Sequence, residues 1–71
     1  MDVTEVKVGF IGAGNMASAL MRGLLRAGSA PAQLVATDVD AAKLEALRNE
    51  LGIVVEPTIA GLVAACGVVV L

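Results

Sequence analysis

The 71-residue sequence contains no histidine, tryptophan or tyrosine, and only one phenylalanine and one cysteine. Without histidine the chain lacks the commonest general base and the commonest metal ligand, so we predict no catalytic residue and no metal site within it. The single cysteine, Cys66, excludes an internal disulfide, fits a reducing cytoplasm and is interpreted as a small buried residue. Aromatic residues make up 1% of the chain and basic residues form no run, which argues against nucleic acid as a partner.

Long hydrophobic runs are also missing. The uncharged stretch 62–71 has ten residues, whereas a membrane-spanning helix needs ~20. Residues 1–5 lack the basic start of a secretory signal. We therefore predict a soluble, cytoplasmic protein with no membrane contact. The chain is rich instead in Ala, Val, Leu and Ile, with 58% hydrophobic residues. This composition suits helices packed on a buried parallel sheet.

Four short apolar runs predict strands, at 6–11, 33–37, 53–55 and 67–71. The pattern is βαβαβαβ, which predicts an α/β fold with a doubly wound parallel sheet in the order 3-2-1-4. The fourth strand would be an apolar edge, which is an aggregation hazard. We therefore expect residues 1–71 to be a fragment whose parent covers that edge with a fifth strand.

The first helix is predicted at 15–27, where one face carries a stripe of Met16, Leu20, Leu24 and Ala27. Met16 can be a core residue of this stripe or can serve a ligand through its main-chain amide. Gly23 beside the stripe is a candidate for close helix–sheet approach.

The other helix ends are predicted from local signals. Gly28 ends the first helix, and Asp40 caps a second helix that Gly52 ends. Thr58 is the better N-cap of a brief third helix that runs to about Ala65.

The motif Gly12-x-Gly14-x-x-Ala17 lies between the first strand and the first helix. In this position it matches the G-x-G-x-x-G/A pattern of Rossmann-type dinucleotide-binding folds. Gly12 permits the tight turn, Gly14 lets a pyrophosphate approach the backbone, and Ala17 allows close helix packing. The amides of the helix N-terminus then face the phosphates. The alternative is a tight turn that binds no ligand.

Asp38 ends the second strand, close to the ~20-residue spacing expected for an acid that binds the adenosine ribose. Its carboxylate can accept hydrogen bonds from the ribose hydroxyls. The alternative is a solvated turn residue.

The string Val8-Gly9-Phe10-Ile11-Gly12-Ala13-Gly14-Asn15-Met16-Ala17-Ser18-Ala19-Leu20, followed by Gly23-Leu24-Leu25, resembles the N-terminus of the pyrroline-5-carboxylate reductase family. Two later segments, 43–47 and 68–71, resemble the family's second helix and fourth strand. The resemblance covers the whole chain and about the first quarter of a full enzyme. It implies reduction of 1-pyrroline-5-carboxylate to L-proline by hydride transfer from NAD(P)H, in proline biosynthesis.

The resemblance also implies which residues line the cofactor site: Ile11, Gly12, Ala13, Gly14, Asn15, Met16 and Asp38. It implies a C-terminal domain, absent from this chain, that holds the substrate and makes the parent a homo-oligomer. Residues 1–71 would then be the N-terminal part of a single NAD(P)-binding domain. This part alone is expected to be inactive, because half of the reaction site is missing.

Three positions depart from the family's usual residues. Val39 replaces an Arg that holds the 2′-phosphate of NADPH, Ile59 replaces an Asn near the nicotinamide ribose, and Gly67 replaces an Asp before the fourth strand. Because an acid at position 38 repels a 2′-phosphate, the residues favour NADH, whereas the family favours NADPH. The predicted cofactor is therefore NADP or NAD. Two other functions stay open: a non-enzymatic dinucleotide-binding module, and a Rossmann reductase for another imine or a hydroxyacid.

Overall fold

A computed structural model describes residues 6–71. The prediction that residues 1–5 carry no secretory signal falls outside this range. In chain order the elements are β1 (Val8–Ile11), α1 (Asn15–Arg26), a short 3-10 helix (Pro31–Gln33), β2 (Leu34–Thr37), α2 (Ala41–Leu51), β3 (Val54–Val55), α3 (Ile59–Ala65) and β4 (Val68–Val70). Strands and helices thus alternate as the sequence predicts, and each of the four strands is shorter than predicted.

Within residues 6–71 the four strands form one parallel sheet in the order β3-β2-β1-β4. Val8 of β1 pairs with Leu34 of β2 on one side and with Val68 of β4 on the other. Val35 of β2 pairs with Val54 of β3. The predicted α/β fold and strand order are therefore confirmed. All carboxyl ends of the strands meet at one edge of the sheet, which is where parallel α/β sheets place their binding sites.

The helices cover both faces of the sheet. The larger core joins one face to α1 and α2 through these buried residues: Phe10, Ala13, Met21, Leu34, Ala36, Leu44, Leu47 and Ile53. On the opposite face α3 lies against β1 and β2, and its Leu62 is fully buried. Helices on two faces are what right-handed crossovers on either side of β1 produce.

The apolar stripe predicted for α1 is largely wrong. Met16 and Leu20 are 80% and 47% exposed, so the interpretation of Met16 as a core residue is excluded. The buried residue of this helix is Met21, and Leu24 packs partly against the core. The buried face of α1 instead carries Ala17, Met21, Leu24 and Leu25, which pack on the core, so Met16 and Leu20 fall beside this face, toward the carboxyl edge of the sheet. Met16 and Leu20 line a surface cleft there.

The predicted helix ends are confirmed. Asp40 Oδ1 accepts hydrogen bonds from the amides of Ala42 and Lys43, at 3.0 and 3.2 Å. Thr58 Oγ1 accepts one from the amide of Gly61, at 3.0 Å. Gly52 ends α2 in the left-handed conformation, with φ of +73°. These signals act within one turn of the chain, so the sequence alone determines them. No helix within residues 6–71 is long and apolar enough to cross a membrane.

Candidate functional site

The connection from β1 to α1 turns sharply at Gly12. This residue follows the last residue of the strand and has φ of +114°, a conformation that side-chain-bearing residues rarely adopt. Its N–H donates to the carbonyl oxygen of Thr37 at 2.8 Å, which extends the pairing of β1 with β2 by one residue. Glycine is therefore needed here by the backbone itself, with or without a ligand.

Gly14 has a different reason to be glycine. It is the N-cap of α1 with φ of −77° and ψ of −174°, which any residue can adopt. A Cβ added here would meet no heavy atom within 4 Å. Neither the backbone nor the packing of the described residues therefore requires glycine at position 14. What the missing side chain leaves open is the space in front of the helix N-terminus.

The N-terminus of α1 is open to an anion. Within residues 6–71 no side chain caps it, and its first turn carries no acidic residue. The main-chain amides of Asn15, Met16 and Ala17 begin the helix and have no earlier turn to bond. Such amides and the helix dipole together attract a phosphate. The arrangement fits a pyrophosphate group.

The Asp38 carboxylate joins this turn to the end of β2. Its Oδ2 accepts a hydrogen bond from the amide of Ala13 at 2.7 Å, and its Oδ1 accepts one from the amide of Asp40 at 2.8 Å. The bond from Asp40, followed by that from Ala13, holds the pKa of the Asp38 carboxyl below its usual value of 3.8. Asp38 is therefore ionised at neutral pH and has a structural task that the sequence did not reveal. Each oxygen retains capacity for a further donor.

Two clefts flank the turn at the carboxyl edge of the sheet. The cleft over β2 has a volume of about 430 Å³ and is lined by Ile11, Gly12, Thr37, Asp38, Val39, Pro57 and Ile59. The cleft between β1, α1 and β4 has a volume of about 360 Å³ and includes Gly14, Asn15, Met16 and Val70. Ile11 and Gly12 line both clefts, so the turn lies at their junction. An elongated ligand with a central pyrophosphate would place one end in each.

The structure places all seven predicted cofactor residues, Ile11, Gly12, Ala13, Gly14, Asn15, Met16 and Asp38, at this edge. Their contacts with a cofactor remain a prediction. Sequence reasoning missed Pro57 as part of the lining. It also did not assign Gly9, which lies in β1 directly under Leu62 and Cys66 of the α3 side. A glycine inside a strand is a signal of close approach. Within residues 6–71 no group of acidic or sulfur side chains is arranged to hold a metal ion.

Comparisons with known proteins agree with this geometry. Residues 7–71 match the model of the family described as "NADP oxidoreductase coenzyme F420-dependent". A solved pyrroline-5-carboxylate reductase from Coxiella burnetii superposes with a TM-score of 0.84 and 26% sequence identity. The match covers 92% of this chain but 24% of the reductase, so the chain spans about a quarter of that protein. No curated protein matches significantly. The family match spans nearly the whole chain, and the chain therefore belongs to the NADP oxidoreductase, coenzyme F420-dependent family.

Proposed function

We propose that this chain is the nicotinamide-dinucleotide-binding segment of a reductase that acts on 1-pyrroline-5-carboxylate and yields L-proline. The observation that carries the proposal is the open N-terminus of α1 behind two glycines, of which Gly14 is not required by the fold of the described residues. The substrate is proposed from the 26% identity to a pyrroline-5-carboxylate reductase. The remaining substrate site and the dimer interface would lie in a second domain, in a cytoplasmic homo-oligomer.

The residues of this segment bind and orient the cofactor. The amides of Asn15, Met16 and Ala17 hold the pyrophosphate, and the ionised Asp38 faces the adenosine ribose across the cleft over β2. On the other side of the turn, Met16 and Val70 give the second cleft an apolar wall. Such a wall keeps water away from the reacting carbon. When bound, the reduced nicotinamide supplies a hydride to the C=N carbon of the imine.

Substitution of Gly14 separates cofactor binding from folding. In the full-length protein we expect Gly14→Ser to leave thermal stability unchanged or raised, because serine is a favourable N-cap residue. Its side chain would fill the space before the amides and compete for them, so dinucleotide affinity should fall at least about tenfold. Calorimetric titration with NADH and NADPH measures this loss.

Gly23→Ser is the matched control for this experiment. Gly23 lies in the same helix, is exposed, and has no heavy atom within 4 Å of an added Cβ. We expect the Gly23→Ser variant to bind both dinucleotides with the affinity of the wild type. Failure of the wild-type protein to bind either dinucleotide would overturn the proposal. Equal affinities of the Gly14→Ser variant and the wild type would show that the pyrophosphate does not bind at this turn.

The substrate assignment is tested by the consumption of reduced dinucleotide. We expect oxidation of NADH or NADPH by the full-length protein when 1-pyrroline-5-carboxylate is added, with L-proline as product. Oxidation of NADH or NADPH that requires coenzyme F420 instead of the imine would overturn the substrate assignment and leave the cofactor assignment standing. Binding without turnover on either substrate would favour a non-enzymatic module.

A further inference from the structure

The charges around Val39 are unevenly distributed. Val39 is fully exposed directly after Asp38, and two clefts meet at this pair and Pro57: the cleft over β2 and a groove between β3 and α2. Asp38 lines both, while Glu45 and Glu56 line the groove. No lysine or arginine among residues 6–71 lines either one. Glu45 pairs with Arg48, so Asp38 and Glu56 give this region a negative charge.

Asp38 cannot turn away from a ligand in the cleft. Both of its oxygens accept main-chain amides, one from the turn after β1 and one from the turn after β2. Rotation of the side chain would break both hydrogen bonds at once. A negative charge is therefore fixed at the end of β2, where a dinucleotide bound at the α1 N-terminus places its adenosine ribose. A carboxylate at this place accepts hydrogen bonds from ribose hydroxyls and repels a phosphate on the same ring.

The nearby cations lie on the other side of the Asp38 turn. Arg22 and Lys43 line a third groove, between α1 and α2, which adjoins the turn at Gly14 but does not include Asp38 or Val39. Arg22 is paired with Glu50 across that groove. Lys43 is near enough to influence the Asp38 carboxylate, so it is the one cation among residues 6–71 that a 2′-phosphate would have to recruit. Val39, which follows Asp38 and lines the cleft over β2, offers only an apolar side chain there.

We propose that this site selects NAD(H) over NADP(H), with Asp38 and Val39 as the residues that determine the selection. The inference rests on the proposed function, because it assigns the chemistry of one end of the same ligand. It departs from the description of the family, which names NADP.

Titration of the wild-type, full-length protein with NADH and NADPH tests the selection directly. We expect NADH to bind at least about tenfold more tightly than NADPH. For the same reason we expect 5′-AMP to bind more tightly than adenosine 2′,5′-bisphosphate. NADPH binding as tightly as NADH, or more tightly, would overturn the selection and leave the proposed function standing. Absence of binding by both would overturn the two together.

A valine-to-arginine change tests the role of position 39 without touching the Asp38 hydrogen bonds. We expect Val39→Arg to tighten NADPH binding by about tenfold through an arginine–phosphate contact, with little change for NADH. Asn49→Arg is the matched control, since it adds the same charge at an exposed position of α2 away from the cleft. An equal gain in both variants would show a general charge effect and overturn the assignment to position 39.

Lys43→Gln tests the competing cation. We expect this change to alter the affinities for NADH and NADPH by the same factor, so that their ratio is preserved. A selective loss of NADPH binding would identify Lys43 as the partner of a 2′-phosphate and would contradict the proposed selection.

Discussion

Gly9 lies in β1 at the point where α3 crosses the sheet. A Cβ at this position would lie 2.5 Å from Leu62 Cδ2 and 2.9 Å from Cys66 Sγ. Leu62 is fully buried, so a shift of its side chain would disturb the residues packed around it. The same close packing raises the pKa of the Cys66 thiol, chiefly through desolvation, with Glu56 acting in the same direction and Lys7 against it. The cysteine thus packs against the sheet at Gly9 but is half-buried, whereas the sequence predicts a buried residue.

We therefore expect Gly9→Ala to lower the free energy of unfolding by about 1–3 kcal/mol, the usual cost of overpacking a core. Urea denaturation of the full-length protein measures the change. Gly23→Ala is the control, because its added methyl group would meet nothing and should raise helix stability by about 0.5–1 kcal/mol. Equal stabilities of the Gly9→Ala variant and the wild type would show that α3 can shift away from β1.

Single residues differ in how far the sequence reveals their role. Gly12 was predicted because its turn is local, and its φ of +114° agrees. The location of Asp38 at the end of β2 was also predicted. Its hydrogen bond to Ala13 was not, because the two residues are 25 positions apart and meet only when β1 and β2 pair. Gly23 was assigned to close packing, and it is exposed instead, because the buried face of α1 is centred on Met21.

At the level of elements, the N-terminus of α2 depends on Asp40. Its side chain accepts the amides of Ala42 and Lys43, two groups that have no partner within the helix. We expect Asp40→Ala to lower the free energy of unfolding by about 1 kcal/mol. Asp40→Asn, which keeps a side-chain acceptor, should lose less. Thermal unfolding of the two variants beside the wild type checks this order. An Asp40→Ala variant as stable as Asp40→Asn would show that the cap contributes nothing.

The contrast between α1 and α2 shows what periodicity can predict. In α2 the predicted stripe of Leu44, Leu47 and Leu51 does face the core, and the first two of these residues are buried. In α1 the buried face is centred on Met21 and includes Ala17 and Leu24, so the predicted stripe is offset from the face that packs on the core. Met16 is therefore exposed at the cleft. Apolar residues on neighbouring sides of a short helix satisfy more than one helical stripe, so spacing alone does not show which of them faces the sheet.

At the scale of the whole molecule, the strand order follows from few rules. Short connections and right-handed crossovers leave β1 flanked by β2 and β4 once the helices lie on both faces. The site then forms where the chain changes direction, at the carboxyl ends of the strands. The sequence therefore predicts the fold and the place of the site. The lining by Pro57 and the distribution of carboxylates around Val39 require the assembled sheet, since they come from separate turns.

Asp38 makes the stability of this assembly depend on pH. Its carboxylate connects the turn after β1 to the turn after β2, and these hydrogen bonds hold its pKa in the folded chain below the usual 3.8. A carboxyl with a lowered pKa stabilises the folded state fully well above its unfolded value, and it loses that contribution as the pH falls through the folded value. We expect Asp38→Asn to be less stable than the wild type at neutral pH. The difference should shrink below about pH 4 and disappear in stronger acid.

Thermal unfolding of both proteins between about pH 7 and pH 2 measures this difference and reaches the acid range in which it should disappear. Subtracting the two curves removes the contribution of the other carboxylates, which both proteins share. The window also distinguishes two roles of Asp38, because a purely steric role would leave the same deficit at every pH. A deficit that stays constant, or that grows on acidification, would contradict an ionised carboxylate holding the two turns together. A deficit that vanishes in acid would show that the charge of Asp38 holds together the turns after β1 and β2. The same charge is the one proposed to select the cofactor.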